Sequence, residues 1–257
     1  MKTFVCIKQV PDTETKIQVK PDHSGIEEGS VKWVMNPYDE FAVEEALKLK
    51  TSTSDTVIVI SAGPKTRVVD SLRTALAMGA DEAIVIDAPE TIDSYLAAKL
   101  LAEAIKKEGD IRLVFAGKLA IDGNGSSVGQ MVAEFLQIPH ASVVSQLEFS
   151  EDSIQVGRDV EGGAKEIFKL KAPCVISANK GLNTPRYASL PGIMKAKKKP
   201  LKELTATDLG LESFTPKVKF KNFTLPPEKP PVKMIEGSPQ EQAKKLVDLL
   251  MNEAKVL

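Results

Sequence analysis

Residues 56–87, TVIVISAGPKTRVVDSLRTALAMGADEAIVID, decide the fold. Residues 56–61 are β-branched and apolar without interruption, which reads as a strand buried on both faces. Gly63-Pro64 breaks it. Val68, Leu72, Ala75 and Leu76 then recur at helical spacing up to Met78, and Gly79 closes the helix. Residues 83–86 return to an apolar run and predict a second strand. Strand, helix and strand at this spacing form one right-handed βαβ unit of a parallel sheet.

Toward the N-terminus, residues 4–10 (FVCIKQV) predict a short buried strand ended by Pro11-Asp12-Thr13. Residues 16–20 predict another strand, followed by a turn at 21–25. Asn36 suits an N-cap, Pro37 the first helical position, and Asp39 and Glu40 the first turn, where the helix dipole favours negative charge. Val43, Ala46 and Leu47 continue that helix. Toward the C-terminus, residues 95–105 predict a helix capped by Asp93 or Ser94. Residues 113–116 predict a strand, and 128–136 a helix that stops before Pro139.

After His140 the pattern changes. Residues 142–147, 153–159, 164–170 and 174–178 predict short strands, with turn signals at Asp152-Ser153 and Gly162-Gly163, and are expected as antiparallel additions. Pro185, Pro191, Gly192 and Pro200 interrupt any long element. Residues 214–231, rich in Pro and Lys, predict an extended arm before a last helix at 239–254 with Ser238 as cap. A helix behind such an arm has little core of its own and is expected to pack on another chain.

Composition narrows the function classes. The 257 residues are 42% hydrophobic and 27% charged, as in a folded chain, and suit one α/β domain or one plus an extension. A net charge of -1 argues against a globally basic nucleic-acid protein, and 5% aromatics against a stacking-based RNA binder. Two cysteines, Cys6 and Cys174, exclude a disulfide framework and fit a reducing compartment; Cys6 reads as a small buried hydrophobe. With only His23 and His140, a zinc site or histidine triad is not expected. No stretch has the roughly 18 apolar residues of a membrane helix, and the N-terminus leaves no room for a signal-peptide core, so a cytoplasmic location is expected. One local bias stands out. Residues 167–202 hold nine basic side chains (Lys169, Lys171, Lys180, Arg186, Lys195, Lys197, Lys198, Lys199, Lys202) and no acidic one. They are expected to form a partner-facing or anion-facing surface, or else a solvated loop.

The candidate ligand site is the loop FAGKLAIDGNGSSVG at 115–129, between a predicted strand and helix. Its glycines let backbone N–H groups approach a phosphate, Ser126 and Ser127 add hydroxyls, and the helix N-terminus adds its dipole. It matches neither the P-loop nor the dinucleotide fingerprint, and it also reads as an ordinary βα turn. In an open parallel sheet, ligands lie beyond the carboxyl ends of strands near a switch point. Residues 6–9, 36–39, 62–63 and the glycine loop fall at such ends, so an adenosine against the first three and a phosphate in the last is the expected arrangement. Asp122 is expected as a turn residue or hydroxyl acceptor.

The segment LNTPRYASLPGIMKAKKK at 182–199 closely resembles the recognition region of the electron-transfer flavoprotein beta subunit. The likeness extends over VCIKQV, VKWVMNPYDEFAVEEAL, RTALAMGAD and GKLAIDGNGSSVGQ. The resemblance implies an α/β fold: a mostly parallel, doubly wound sheet, Rossmann-like and of adenine nucleotide alpha hydrolase type, with antiparallel additions and an extended C-terminal arm. It implies a nucleotide-binding domain at 1–182, a partner-recognition loop and short helix at 183–204, and a C-terminal arm at 205–257 that packs on an alpha subunit. The implied role is an electron-carrier subunit and not an enzyme. It would hold AMP structurally, support the FAD domain of the alpha subunit, and dock acyl-CoA-type dehydrogenases ahead of a quinone oxidoreductase.

Carried over by motif, the AMP residues are Cys6, Asn36, Pro37, Tyr38, Asp39, Ala62, Gly117, Lys118, Asp122, Gly123, Asn124, Gly125, Ser126, Ser127 and Val128. Thr13 and Tyr38 stand where family members approach the flavin, and Asp159 matches an acid that pairs with an alpha-subunit arginine when the FAD domain swings. Leu190 would be the apolar plug for the dehydrogenase, with Pro191, Ile193 and Met194 beside it and Lys195, Lys197 and Lys198 as a basic rim. Electron-bifurcating members hold a second FAD in place of AMP and carry a loop resembling DGDTAQVGP; here Gln130 replaces its proline. That bifurcating type and an adenine-nucleotide-using enzyme of similar fold are the alternatives. The enzyme would need an S-G-G-x-D-type loop where this chain has Lys8-Gln9-Val10-Pro11. A mitochondrial-matrix location is the expectation for a eukaryotic source.

Overall fold

The computed structural model describes residues 1–150 and 153–257. The Asp152 half of the expected 152–153 turn lies outside the described residues. The chain divides into two compact units, Met1–Asn222 and Phe223–Leu257.

In the first unit the expected alternation is present. The strands are β1 (Lys2–Cys6), β2 (Gln9–Pro11), β3 (Trp33–Met35), β4 (Thr56–Gly63), β5 (Glu82–Asp87), β6 (Ile111–Gly117), β7 (His140–Phe149), β8 (Ile154–Asp159), β9 (Lys165–Leu170), β10 (Cys174–Ala178) and β11 (Leu201–Thr205). The helices are α1 (Pro37–Thr53), α2 (Lys65–Met78), α3 (Ser94–Glu108), α4 (Val128–Leu136) and α5 (Leu190–Ala196). Nine strands form one sheet in the order β11-β5-β4-β1-β6-β10-β7-β8-β9, while β2 and β3 pair separately. Every pairing from β11 across to β7 is parallel.

Period-two alternation sorts the core into two layers. Val57 and Val59 of β4 point with Val5 and Phe115 toward α1 and α2. Ile58 and Ile60 point with Phe4 and Val114 toward α3 and α4. Helices on both faces make the sheet doubly wound. The chain leaves β1 toward β4 and β5, then crosses back to β6 on the other side of β1. The switch point therefore lies between β1 and β6.

Four expectations need correction, the first being residues 4–10, which divide between β1 and the separate strand β2 instead of forming one strand. Residues 174–178 are not an antiparallel addition. β10 inserts between β6 and β7, parallel to both, and all five of its residues are buried, as suits a central parallel strand. β7 is likewise part of the parallel sheet, so within the nine-stranded sheet, among the described residues, antiparallel pairing is confined to the hairpin steps β7–β8 and β8–β9. Residues 16–20 form no strand; a single bridge joins Val19 to Ile26. β11 was not anticipated: it adds a parallel edge to β5 directly after Pro200. Asp93 caps α3 as expected, its Oδ1 accepting from the Leu96 amide at 2.8 Å.

The second unit has no helix or strand before α6 (Pro239–Asn252). Ser238 caps α6 in a reciprocal capping box with Glu241. Its Leu246, Val247 and Met251 remain about half exposed. No helix among the described residues is long and apolar enough to cross a membrane.

Candidate functional site

Three adjacent strands, β4, β1 and β6, end at Gly63, Cys6 and Gly117. The N-terminus of α1 is tied to the same edge by Asp39, which is almost fully buried. Asp39 accepts from the Lys8 amide at 2.6 Å, from Asn36 Nδ2 at 2.9 Å and from the Gly117 amide at 3.0 Å. One carboxylate thus joins the exits of β1 and β6 to α1. Burial pushes its pKa up to about 7, against the pull of these three donors.

Asn36 occupies the N-cap position, but its side chain does not cap α1. Its Nδ2 also donates to the Leu119 carbonyl at 2.8 Å, and its Oδ1 accepts from the Ile121 amide at 3.2 Å. The expected capping role is therefore corrected: this amide organises the start of the glycine loop. Gly117 is required by packing, because a Cβ there would lie 2.7 Å from Tyr38 Cβ.

Beyond Ile121 the loop is open. Gly123 has nothing within 4 Å of a built Cβ, and Gly125 has only the Ser127 and Ser94 hydroxyls at 3.8 and 4.0 Å. Neither glycine adopts positive φ; Asn124 (φ 50°) and Ser126 (φ 47°) do so instead. Glycine at 123 and 125 therefore leaves clearance rather than relieving backbone strain. Ser126 Oγ donates to the Lys118 carbonyl at 2.8 Å, which closes the loop. Ser127, at the N-cap of α4, makes no side-chain cap, so the leading amides of α4 lack that partner. Lys8 Nζ reaches Asp122 at 2.6 Å, and Lys118 Nζ sits 4.9 Å from the Tyr38 ring centroid. Asp122 is an ion-pair partner here, which goes beyond its expected turn role. Pro37 and Tyr38 open α1, Ala62 lies near the end of β4, and Val128 is the first residue of α4. The Cys6 thiol is buried, and that burial, with Asp39 beside it, pushes its pKa up to about 12. A neutral thiol at that value is no nucleophile.

The flavin-proximal and switch candidates lie elsewhere. Thr13 is exposed after β2, its hydroxyl 3.5 Å from Asp12. Asp159 ends β8; its Oδ1 accepts from Lys165 Nζ at 2.6 Å and Ser145 Oγ at 2.8 Å, and its Oδ2 from Asn179 Nδ2 at 2.9 Å. The Lys165 hydrogen bond, followed by Ser145, holds its pKa down at about 2.

The basic stretch does not form one surface. Arg186 is paired with Glu44, Lys202 with Glu108, and Lys199 donates to backbone carbonyls. Lys195, Lys197 and Lys198 remain exposed in and after α5. On the same short helix, Leu190 is 79% and Met194 73% exposed. At that exposure the Leu190 side chain is not anchored in the core. Pro191 is exposed and Ile193 is 44% exposed.

Two buried acids were not anticipated as site residues. Glu44 and Glu45 of α1 are nearly fully buried. Glu44 receives Arg186 Nε at 2.7 Å and Nη2 at 2.9 Å, while Asn183 Nδ2 donates to Glu45 at 2.8 Å. Together they fasten the segment leading to α5. Their signal in the sequence is two adjacent acids inside the apolar run FAVEEAL.

Comparison with known proteins gives the family of the chain. The electron transfer flavoprotein domain matches residues 24–209. The chain is 42% identical over 262 residues to the electron transfer flavoprotein subunit beta of Bacillus subtilis (strain 168), covering all of both chains. It is 40% identical over 263 residues to the mitochondrial subunit beta of Arabidopsis thaliana, again over all of both. It is 41% identical over 234 residues to the subunit beta of Mus musculus, covering 89% of this chain and 90% of that one. Fold and full-length similarity together place the chain in the electron transfer flavoprotein beta subunit family.

Proposed function

We propose that this chain is the AMP-holding, non-bifurcating, non-catalytic subunit of a heterodimeric electron carrier. The observation that carries the nucleotide assignment is the clearance over Gly123 and Gly125, next to the side-chain-uncapped start of α4. Free amides at a helix N-terminus suit a phosphate monoester. The adenosine would be held by Cys6, Asn36, Pro37, Tyr38, Asp39 and Ala62. The phosphate would be held by Gly117, Lys118 and the run from Asp122 to Val128. The donor set is nearly all backbone amide and hydroxyl, which fits a bound and unreacted nucleotide.

The FAD of an alpha subunit supplies the redox chemistry. Residues of this chain support it and select what reaches it. Thr13 and Tyr38 approach the flavin. Asp159 receives an arginine of the alpha-subunit FAD domain, exchanging it for Lys165. Residues 183–204 dock acyl-CoA-type dehydrogenases, with Leu190 as the plug, Pro191, Ile193 and Met194 around it, and Lys195, Lys197 and Lys198 as the rim. The exposed apolar residues of α6 support a role for 205–257 as an arm on the alpha subunit. The expected outlet is a quinone oxidoreductase of the respiratory chain, and the expected location is the cytoplasm.

Gly125→Asp tests the nucleotide assignment. The substitution places a carboxylate in the clearance, where charge and bulk oppose a phosphate. AMP recovered from the purified αβ complex should fall well below one per heterodimer, with assembly slowed and electron transfer largely kept once the complex forms. Unchanged AMP stoichiometry overturns the placement.

A further inference from the structure

Helix α5 has only seven residues, too few to be stable alone, yet it exposes Leu190, Ile193 and Met194. Something must hold it in place. Ser189 caps its start, accepting from the Gly192 amide at 3.1 Å. A Cβ at Gly192 would collide with the Ala77 carbonyl oxygen, so α5 lies directly against the end of α2. Ala196 is the one buried residue of α5 and joins the core under α1 and α2.

The two helix ends then exchange cations. Arg73 of α2 donates Nη1 to the carbonyls of Ala196 at 2.6 Å and Lys199 at 3.0 Å. Lys199, just past α5, donates Nζ to the carbonyls of Leu76 at 2.9 Å and Ala80 at 2.5 Å. Each helix thus has one carbonyl of its last turn, and one carbonyl just past its end, held by a cation from the other segment, where the helix dipole favours positive charge.

We propose that Arg73 and Lys199 are positioning residues for partner docking: a reciprocal clamp between α2 and α5 that presents Leu190 in a preformed geometry. The clamp rests on the reading of α5 as the docking helix. Its contribution to affinity is preorganisation, since a helix already fixed loses less freedom on binding. Arg73 is not among the proposed nucleotide or docking residues and acts through α5.

The test uses the αβ complex and a purified acyl-CoA dehydrogenase that reduces the wild-type complex. Arg73→Gln should raise KM for the dehydrogenase about tenfold, leave kcat within about twofold, and speed amide exchange across residues 190–198 about tenfold or more. Exchange in α4 and AMP content should not change. Arg73→Lys, which keeps a cation for these carbonyls, should recover most of the affinity. Unchanged exchange at 190–198 overturns the clamp. So does faster exchange with an unchanged KM, provided that Leu190→Ala raises KM. If Leu190→Ala leaves KM unchanged while Arg73→Gln still frees the α5 amides, the clamp stands and the docking reading fails. Should Arg73→Gln not fold, Lys199→Met is read in the same way.

Discussion

The glycine loop and the α5 segment are built in opposite senses. Around the loop, side chains are spent internally: Asp39 and Asn36 tie strand exits to α1, and Ser126 closes the loop on Lys118. What remains open is backbone at Gly123, Gly125 and the start of α4. In the α5 segment, backbone carbonyls are held by Arg73, and Arg186 is locked on Glu44. What remains open there is apolar side chain, with Leu190 79% exposed. The groups a surface leaves unspent indicate what it takes: amides suit an anion, and a fixed apolar knob suits a pocket on another protein.

This contrast can be broken most forcefully at Gly117. Gly117→Val drives a branched side chain into Tyr38 and Asp39 and should cost at least about 3 kcal/mol. AMP should be lost, while α5, which packs on the end of α2, should keep its amide protection in whatever fraction remains folded. Urea unfolding with amide exchange reads both. Equal loss in the two regions would mean they are not separately built.

A smaller effect is expected at Asp39. Its folded pKa of about 7 lies above the ordinary carboxylate value. Its contribution to stability is therefore full below about pH 4, declines as pH rises through 7, and is then level. Over that range the change is on the order of a few kcal/mol. Asp39→Asn should abolish this slope. Parallel wild-type and variant slopes in unfolding between pH 5 and 8 would refute the assignment.

The smallest stability effect, with the sharpest functional one, belongs to Leu190. Leu190→Ala should change stability by less than about 0.5 kcal/mol, because the side chain is already exposed. Electron transfer from the dehydrogenase to the αβ complex should fall about tenfold or more. A variant that melts several degrees lower with normal partner kinetics would make Leu190 structural.

The legible parts of the molecule were local in sequence. The βαβ unit at 56–87, the Asp93 cap and the Ser238 cap depend on residues within one turn or one period of each other. The glycine loop could be placed because strand ends and the switch point follow from strand order. The parts that escaped were non-local. β10 fills a slot left between β6 and β7, which only the finished sheet defines. The Glu44–Arg186 pair joins residues 142 apart, and Arg73 meets Ala196 across 123. Asn36 was misread for a related reason. Its type and position fit an N-cap, but tertiary donors and acceptors from residues 119 and 121 outcompete the local amides. The nine basic side chains of residues 167–202 read as one surface or a solvated loop because sequence does not show which cations find buried acids or carbonyls.

The central claim is that the loop beyond β6 holds AMP while the redox group belongs to the partner subunit. It is tested most directly by denaturing the purified αβ complex and counting the released nucleotides by chromatography and mass spectrometry. One AMP and one FAD per heterodimer is the predicted result. Two FAD and no AMP would contradict it and move the chain to the bifurcating type.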